Sequence, residues 1–386
     1  MRDLSILFEP VTINGVTLPN RIAMAPMGRN FAQDGVPPQG LTDYFARRAR
    51  GGVGLCIGEA SRVDHPVASN DTLHTAFHGE AALDIWRSVV DAVHDEGGCF
   101  MPQIWHAGLL RSPVSDHPQI PNPHLPPMGP SGWAEPLVHT TGWITPISEA
   151  AQIGEPMTDS DIADVIESFV RAAVDARDMG CDGVNIHGAH GYLIDQFFWT
   201  RTNFRDDGYG GDLIGRTRFG AELIAAVRAA VGPTFPIVLR WSQWKQQDYH
   251  CKIAETPAEL ETFLRPLVDA GVDLFDCSTR RFWEPEFEGS TLNLAGWTKK
   301  LTGKPTMAVG SVGLERSNFA DGGESSMNDS GLASLDPLID RLEAGEFDLV
   351  GVGRMLITNP EWANQVREGR DHEIRPYSNL HLMTLD

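Results

Sequence analysis

Eight short apolar runs, at residues 21–27, 53–59, 100–106, 182–187, 236–241, 273–277, 306–310 and 348–352, constrain this chain more than any other feature. Runs so short and so continuously apolar suit strands covered on both faces, as the strands of a parallel sheet are. Amphipathic helices are expected between them at 42–50, 81–96, 158–180, 216–230 and 257–270, so strand and helix alternate. Thr158 and Asp161 have capping-box spacing at the start of the third helix, and Gly180 marks its end. The pattern predicts an α/β chain whose eight strands close into a (β/α)8 barrel.

Asn14-Gly15 lies between two apolar runs near the start, a strong hairpin signal, and such a hairpin would plug the bottom of the barrel. The 386 residues admit two or three domains, but barrels of this class commonly exceed about 250 residues as one unit. One TIM-barrel domain over residues 1–386 is therefore expected. Its surplus chain falls in excursions at about 107–157, 280–294 and 313–336, after strand ends, where barrel enzymes build their sites. Ten of the 26 prolines fall between Arg111 and Pro156, which predicts a stiff lid or wall rather than a linker.

Charge and cysteine content narrow the function. With 31 Lys and Arg against 52 Asp and Glu, the net charge of −21 argues against nucleic acid or an anionic membrane as partner. The five cysteines form no CxxC pair and are odd in number, as expected of reduced thiols in the cytoplasm. The first 11 residues lack a basic and then apolar leader, and no run of about 18 apolar residues occurs, so a cytoplasmic protein is expected. No GxGxxG follows a strand, which excludes a Rossmann-type nicotinamide domain. None of the five lysines ends a predicted strand, which weakens a Schiff-base reading. His187 and His190 without a third ligand at fixed spacing make a poor metal site, and none is expected.

The chemistry concentrates in DGVNIHGAHGYL, residues 182–193. In a strand, Val184 and Ile186 face one way and Asn185 and His187 the other. Gly188 and Gly191 let the backbone turn, so His187, His190 and Tyr192 converge on a small volume as three proton-carrying groups. Gln103 and Trp105 end strand three, Arg240 ends strand five and Arg354 follows strand eight, all at the C-terminal mouth. Gln103, His187 and Arg240 are competent to bind a planar heterocycle with carbonyls. Gly310-Ser311-Val312-Gly313 and Gly351-Val352-Gly353-Arg354 end strands seven and eight, where barrels hold phosphate on open backbone N–H groups.

The run HGAHGYLIDQFFWTRTNFRDDGYGGDLIGRTRF, residues 187–219, resembles the signature segment of the Old Yellow Enzyme family of FMN-dependent oxidoreductases. LFEPVTINGVTLPNRIAMAPM near the start, QIWHAG at 103–108 and GVGRMLITNPEW near the end extend the resemblance over nearly the whole chain. The two-histidine form resembles the bacterial branches; the plant and yeast type typically has asparagine where His190 stands.

The resemblance implies non-covalent FMN across the barrel mouth. Pro26, Met27 and Ala60 would line the flavin, Gln103 and Arg240 would bind its pyrimidine edge, and Gly310, Ser311, Gly353 and Arg354 would hold its phosphate. Gly28 stands where many relatives have Thr or Cys, offering neither a side chain to tune the flavin nor a thiol for a covalent link. His187 and His190 would bind a substrate carbonyl and Tyr192 would protonate its α-carbon as hydride reaches the β-carbon. The implied reaction takes hydride from NADH or NADPH and reduces an activated C=C bond of a small molecule. Oxidation of a methylated amine and a non-redox phosphate-binding barrel are the rival readings. Trp105, Trp241, Trp244 and Trp283 would form either a cage for an ammonium group or walls for a flat enone, with Trp105 and Trp283 the candidate substrate contacts. The histidine pair and tyrosine favour the enone, since a cationic amine needs neither. Relatives are often dimers or tetramers, so a homo-oligomer is possible, whereas the chain's end without a cysteine cluster argues against an iron-sulfur assembly.

Overall fold

The structure, a computed structural model, describes residues 2–69, 72–111, 121–135, 151–315 and 330–386. Eight parallel strands close a barrel in chain order: Ile22–Met24, Leu55–Arg62, Cys99–Trp105, Val184–His190, Ile237–Lys245, Leu274–Ser278, Thr306–Val309 and Leu349–Val352. The eighth pairs back onto the first. They are numbered one to eight here.

Strand parity decides what enters the barrel. On strand four, Val184 and Ile186 join the apolar shell beneath the helices, while Asn185 points inward and hydrogen-bonds across to Gln103 on strand three and Asp276 on strand six. The surrounding helices include Gly40–Arg50, Glu80–Asp95, Asp159–Asp178, Leu213–Val231 and Pro257–Ala270. Thr158 and Asp161 form the expected capping box, and Gly180, just beyond the helix, takes φ +91°. The shell is aromatic where the first two of these helices meet strand three: Trp86 lies 5.9 Å from Phe100, which meets Phe45 at 5.4 Å. Truncating a buried indole such as Trp86 to Ala costs roughly 3–5 kcal/mol.

The opening hairpin pairs Val11–Ile13 with Val16–Leu18 around Asn14 and Gly15, both at positive φ, as a type I′ turn requires. Its Ile13 and Leu18 pack against Leu55, Cys99, Leu274 and Leu349, which begin strands two, three, six and eight. The hairpin therefore seals the end opposite the mouth.

Two differences from the sequence expectation matter for the site. Strand five runs on to Lys245, which pairs with His190 beyond a bulge between Gly188 and His190 of strand four. A short helix, Leu193–Phe198, follows the histidine turn; all six of its residues are buried, so it shows no amphipathic period. Helices Leu294–Thr302 and Asp336–Glu343, also unexpected, complete the outer ring beside strands six to eight. In the proline-rich excursion, Met128–Gly129 pairs with Glu155–Pro156 and Trp133–Ala134 with Ala151–Gln152. Residues 112–120, 136–150 and 316–329 of the expected excursions lie outside the described residues. Among the described residues, no helix is long and apolar enough to cross a membrane.

Candidate active site

Strand four delivers His187 beside Arg240 of strand five and then turns sharply. At the turn His190 takes φ +65°, a left-handed conformation that is costly for a residue with a side chain. Neighbouring strands hold it there. Its N–H donates to Ser242 Oγ (3.1 Å), its carbonyl accepts from Gln246 N–H (3.4 Å), and its Nε2 lies 2.8 Å from Ser278 Oγ. The Trp244 ring lies against the imidazole, with centroids 4.5 Å apart. Gly191, at φ +83°, has no room for a side chain: a Cβ would sit 2.3 Å from Gln247 Oε1.

Beneath this turn lies an ion pair that the sequence did not reveal. Lys245 Nζ donates to Asp195 Oδ1 (2.7 Å) and to the carbonyls of Ser242 and Gln243 (3.3 and 3.0 Å), with both charged side chains wholly buried. Asp195 Oδ2 accepts from Gly191 N–H at 2.7 Å. The expectation that no lysine ends a strand is thus corrected, but the three acceptors and full burial leave Lys245 no role as a nucleophile.

The rings of His187 and His190 meet edge to face at 5.1 Å, and those of His187 and Tyr192 at 4.9 Å. Burial holds both imidazoles well below the usual histidine range, with the nearby Arg240 acting in the same direction. Ala189 N–H donates to His187 Nδ1 (3.3 Å), so the neutral ring carries its hydrogen on Nε2 as a donor. Tyr192 Oη accepts from Gln246 Nε2 at 3.1 Å.

Side chains on adjoining strands continue the network. Gln103 Nε2 donates to Asn185 Oδ1 (2.8 Å) and Asn185 Nδ2 to Asp276 Oδ2 (3.2 Å). Arg240 Nη1 donates to the same Asp276 oxygen (3.0 Å), and its Nη2 lies 3.3 Å from Ser278 Oγ. Asp276 thus supplies the partner that a guanidinium inside the barrel requires. Burial pushes its own carboxyl up, against the opposing pull of Arg240.

A cavity of about 350 Å³ opens at the strand ends. Pro26, Met27, Gly28, His190, Arg240, Trp244, Gln246, Gly310, Ser311, Gly353 and Arg354 are among its lining residues. Among the described residues the wall carries three arginines (240, 280 and 354) and no carboxylate, so it is built for an anion. Gly310 lies at φ +151°, where a Cβ would sit 2.7 Å from the Thr279 carbonyl and 3.0 Å from Arg281 N. Ser311, at φ +53°, donates its hydroxyl to the Arg280 carbonyl (2.9 Å) and lies 3.5 Å from Arg354 Nη2. Burial lowers Arg354 to about 10, which leaves it cationic at neutral pH.

The remaining candidates lie elsewhere. Ala60 and Gln103 pair in register on strands two and three, outside the cavity lining, and His187 and Tyr192 stand behind His190. Trp105 is buried edge-on to Tyr192 at 5.1 Å and lies 5.0 Å from His74. Trp283 packs against Phe282 and is absent from the cavity wall, and Trp241 faces outward onto Phe263. The four indoles therefore do not converge into a cage; of them, Trp244 alone lines the cavity. Sequence reasoning missed Asp276, Ser278, Gln246 and the Asp195–Lys245 pair. The alternation of Asp276 and Ser278 along strand six was a readable signal.

The model of the NADH:flavin oxidoreductase / NADH oxidase family matches residues 6–323, and the chain belongs to that family. It is 34% identical over 378 residues to an NADH oxidase of Thermoanaerobacter brockii, covering 96% of this chain and 52% of that protein. It is 36% identical over 228 residues to 12-oxophytodienoate reductase 7 of Oryza sativa subsp. japonica, covering 58% and 56%. The chain thus spans little more than half the length of these relatives. A solved old yellow enzyme homologue from Zymomonas mobilis shares the fold, with a TM-score of 0.76 at 24% identity over 98% of this chain and 96% of that one.

Proposed function

We propose that this chain is an FMN-dependent oxidoreductase that uses NADH or NADPH to reduce the activated C=C bond of an α,β-unsaturated carbonyl-type substrate. The observation that carries the reading is the contact of His187 with both Tyr192 and His190, the last of which lines an arginine-walled cavity. When bound, FMN supplies a two-electron carrier that lets one cavity serve nicotinamide and substrate in turn. The protein fits that group: at Gly310 a Cβ would collide with the Thr279 carbonyl and Arg281 N, so bare backbone stands at the cavity wall, and the wall has arginines with no carboxylate among the described residues. Arg354 with Gly310, Ser311 and Gly353 would hold the phosphate, and Arg240 with Gln103 the pyrimidine edge. Pro26, Met27, Gly28 and Ala60 would lie along the ring.

His187 and His190, neutral through burial, act as hydrogen-bond donors to the substrate oxygen and stabilise the charge that develops there. Tyr192 gives its proton to the α-carbon. Trp105, edge-on to Tyr192, would limit the movement of the phenol ring and add to the substrate contacts, with Trp283 as the second candidate. The 12-oxophytodienoate reductase and old yellow enzyme relatives support this direction. A methylated amine is disfavoured, because the arginines repel a cation and the indoles form no cage. We place the protein in the two-histidine bacterial branch, as a cytoplasmic enzyme for a small molecule, with residues 1–386 serving as one FMN-binding unit.

Anaerobic stopped-flow tests the reading. The protein should show a flavin band at roughly 450 nm, lose it on mixing with NADH or NADPH, and recover it with an enone. Rapid bleaching by methylated amines, with no recovery by enones, would favour the dehydrogenase reading instead.

A further inference from the structure

We infer that Gln246 is the positioning residue for the proton donor, its side-chain amide donating to Tyr192 Oη and so directing the phenol hydrogen to the substrate. The inference rests on the reading of Tyr192 as that donor. The contact is 3.1 Å, and Gln246 lines the cavity. A phenol has one hydrogen to give and lone pairs to receive with. While the amide N–H occupies a lone pair, the hydrogen is not spent on Gln246. The same donated bond strengthens as negative charge grows on Oη, so it favours the transfer itself.

The placement of Gln246 is fixed from beneath. Lys245, buried and bonded to Asp195, anchors the chain one residue earlier. Reciprocal backbone bonds between Lys245 and Asp248 (2.9 and 3.2 Å) close a tight turn around Gln246, whose own N–H reaches the His190 carbonyl. Strand five thereby runs past the barrel rim to hold both ends of the histidine–tyrosine turn. Among the described residues, the ionisable groups around Tyr192 and Gln246 include His187 and His190, neutral through burial, Arg240 and Arg280 on the cavity wall that Gln246 shares, and the Lys245–Asp195 pair below. All of them are common to wild type and variants, so the wild-type pH profile is the reference.

The near-isosteric Gln246→Glu variant separates positioning from packing. The introduced carboxylate accepts the phenol hydrogen instead of donating, so the neutral phenol is stabilised and its proton withheld. In protein with ¹³C-labelled tyrosine rings, the Tyr192 signal is the one lost in Tyr192→Phe. Its titration midpoint should rise by about one unit or more in Gln246→Glu. The rate of reoxidation by an enone, divided by the rate of reduction by NADH or NADPH, should fall about tenfold or more near pH 8. It should recover as acid protonates the introduced carboxyl, which then donates as the amide did. Gln246→Met can do neither and should lower the ratio by a smaller factor at every pH, which keeps the test open if the first variant fails to fold. An unchanged Tyr192 titration and an unchanged ratio in these variants would overturn the inference. If Tyr192→Phe itself leaves reoxidation intact, the parent reading falls instead.

Discussion

Across the barrel mouth, strands three to six present side chains already bonded to one another, whereas strands seven, eight and one present backbone. On the first side, Gln103, Asn185, Asp276, Arg240, Ser278 and His190 form one connected set of contacts, all of them buried. On the second, Gly310, Gly351, Gly353 and the left-handed Ser311 bring backbone to the cavity wall beside a single guanidinium, that of Arg354. The difference suits the two tasks proposed for the site. Chemistry needs donors held in place before substrate arrives, so that side is rigid and its members depend on each other. Holding a phosphate needs exposed N–H groups and a charge, and on the proposed reading that side would gain its full set of contacts from the ligand.

Arg240→Ala should have the largest effect, because it leaves Asp276 buried without its counter-charge. We expect about 3–5 kcal/mol of lost stability in the FMN-free protein, measured by urea denaturation and partly restored by adding Asp276→Asn. A loss below about 1 kcal/mol, the scale of an exposed pair, would mean the two sides are not built differently. Arg354→Ala should act on the ligand instead. FMN affinity should weaken by ~1–3 kcal/mol with little change in the stability of the FMN-free protein, and full flavin retention on dilution would remove the phosphate assignment.

The smallest effect concerns pH. His187 and His190 have folded pKa values below the unfolded value of about 6.5, so the stability they contribute is complete above that pH and is lost as pH falls. His190→Asn retains a residue tolerant of left-handed φ. It should therefore change stability little at pH 7 but flatten the acid slope between about pH 6 and 5 by roughly 1.4 kcal/mol per unit. Parallel slopes for wild type and variant would show that His190 is charged in the folded protein.

The same contrast marks what the sequence made legible. Glycine-rich strand ends and a following arginine carry their meaning locally, so Gly310, Ser311, Gly353 and Arg354 could be named from spacing, as could the hairpin from Asn14-Gly15. The bonded side depends on distant partners. Lys245 and Asp195 are 50 positions apart and belong to no motif. The apolar run stops at Trp241 because Ser242, Gln243 and Lys245 break it, yet all three lie within strand five and are buried, and Lys245 pairs with His190. Helix Leu193–Phe198 stayed hidden because every face of it is covered. Trp283 packs against Phe282 and Trp241 against Phe263, both off the cavity wall, and residue type alone carries no information on direction.

The proposed reaction needs proton delivery by Tyr192 in one half-reaction only. Its most direct test is Tyr192→Phe in anaerobic stopped-flow, with flavin reduction by NADH or NADPH followed by reoxidation with an enone. The first rate should stay close to wild type and the second should fall by roughly 10²-fold or more, the scale of general acid catalysis. Equal loss in both steps, or none in the second, would contradict the account.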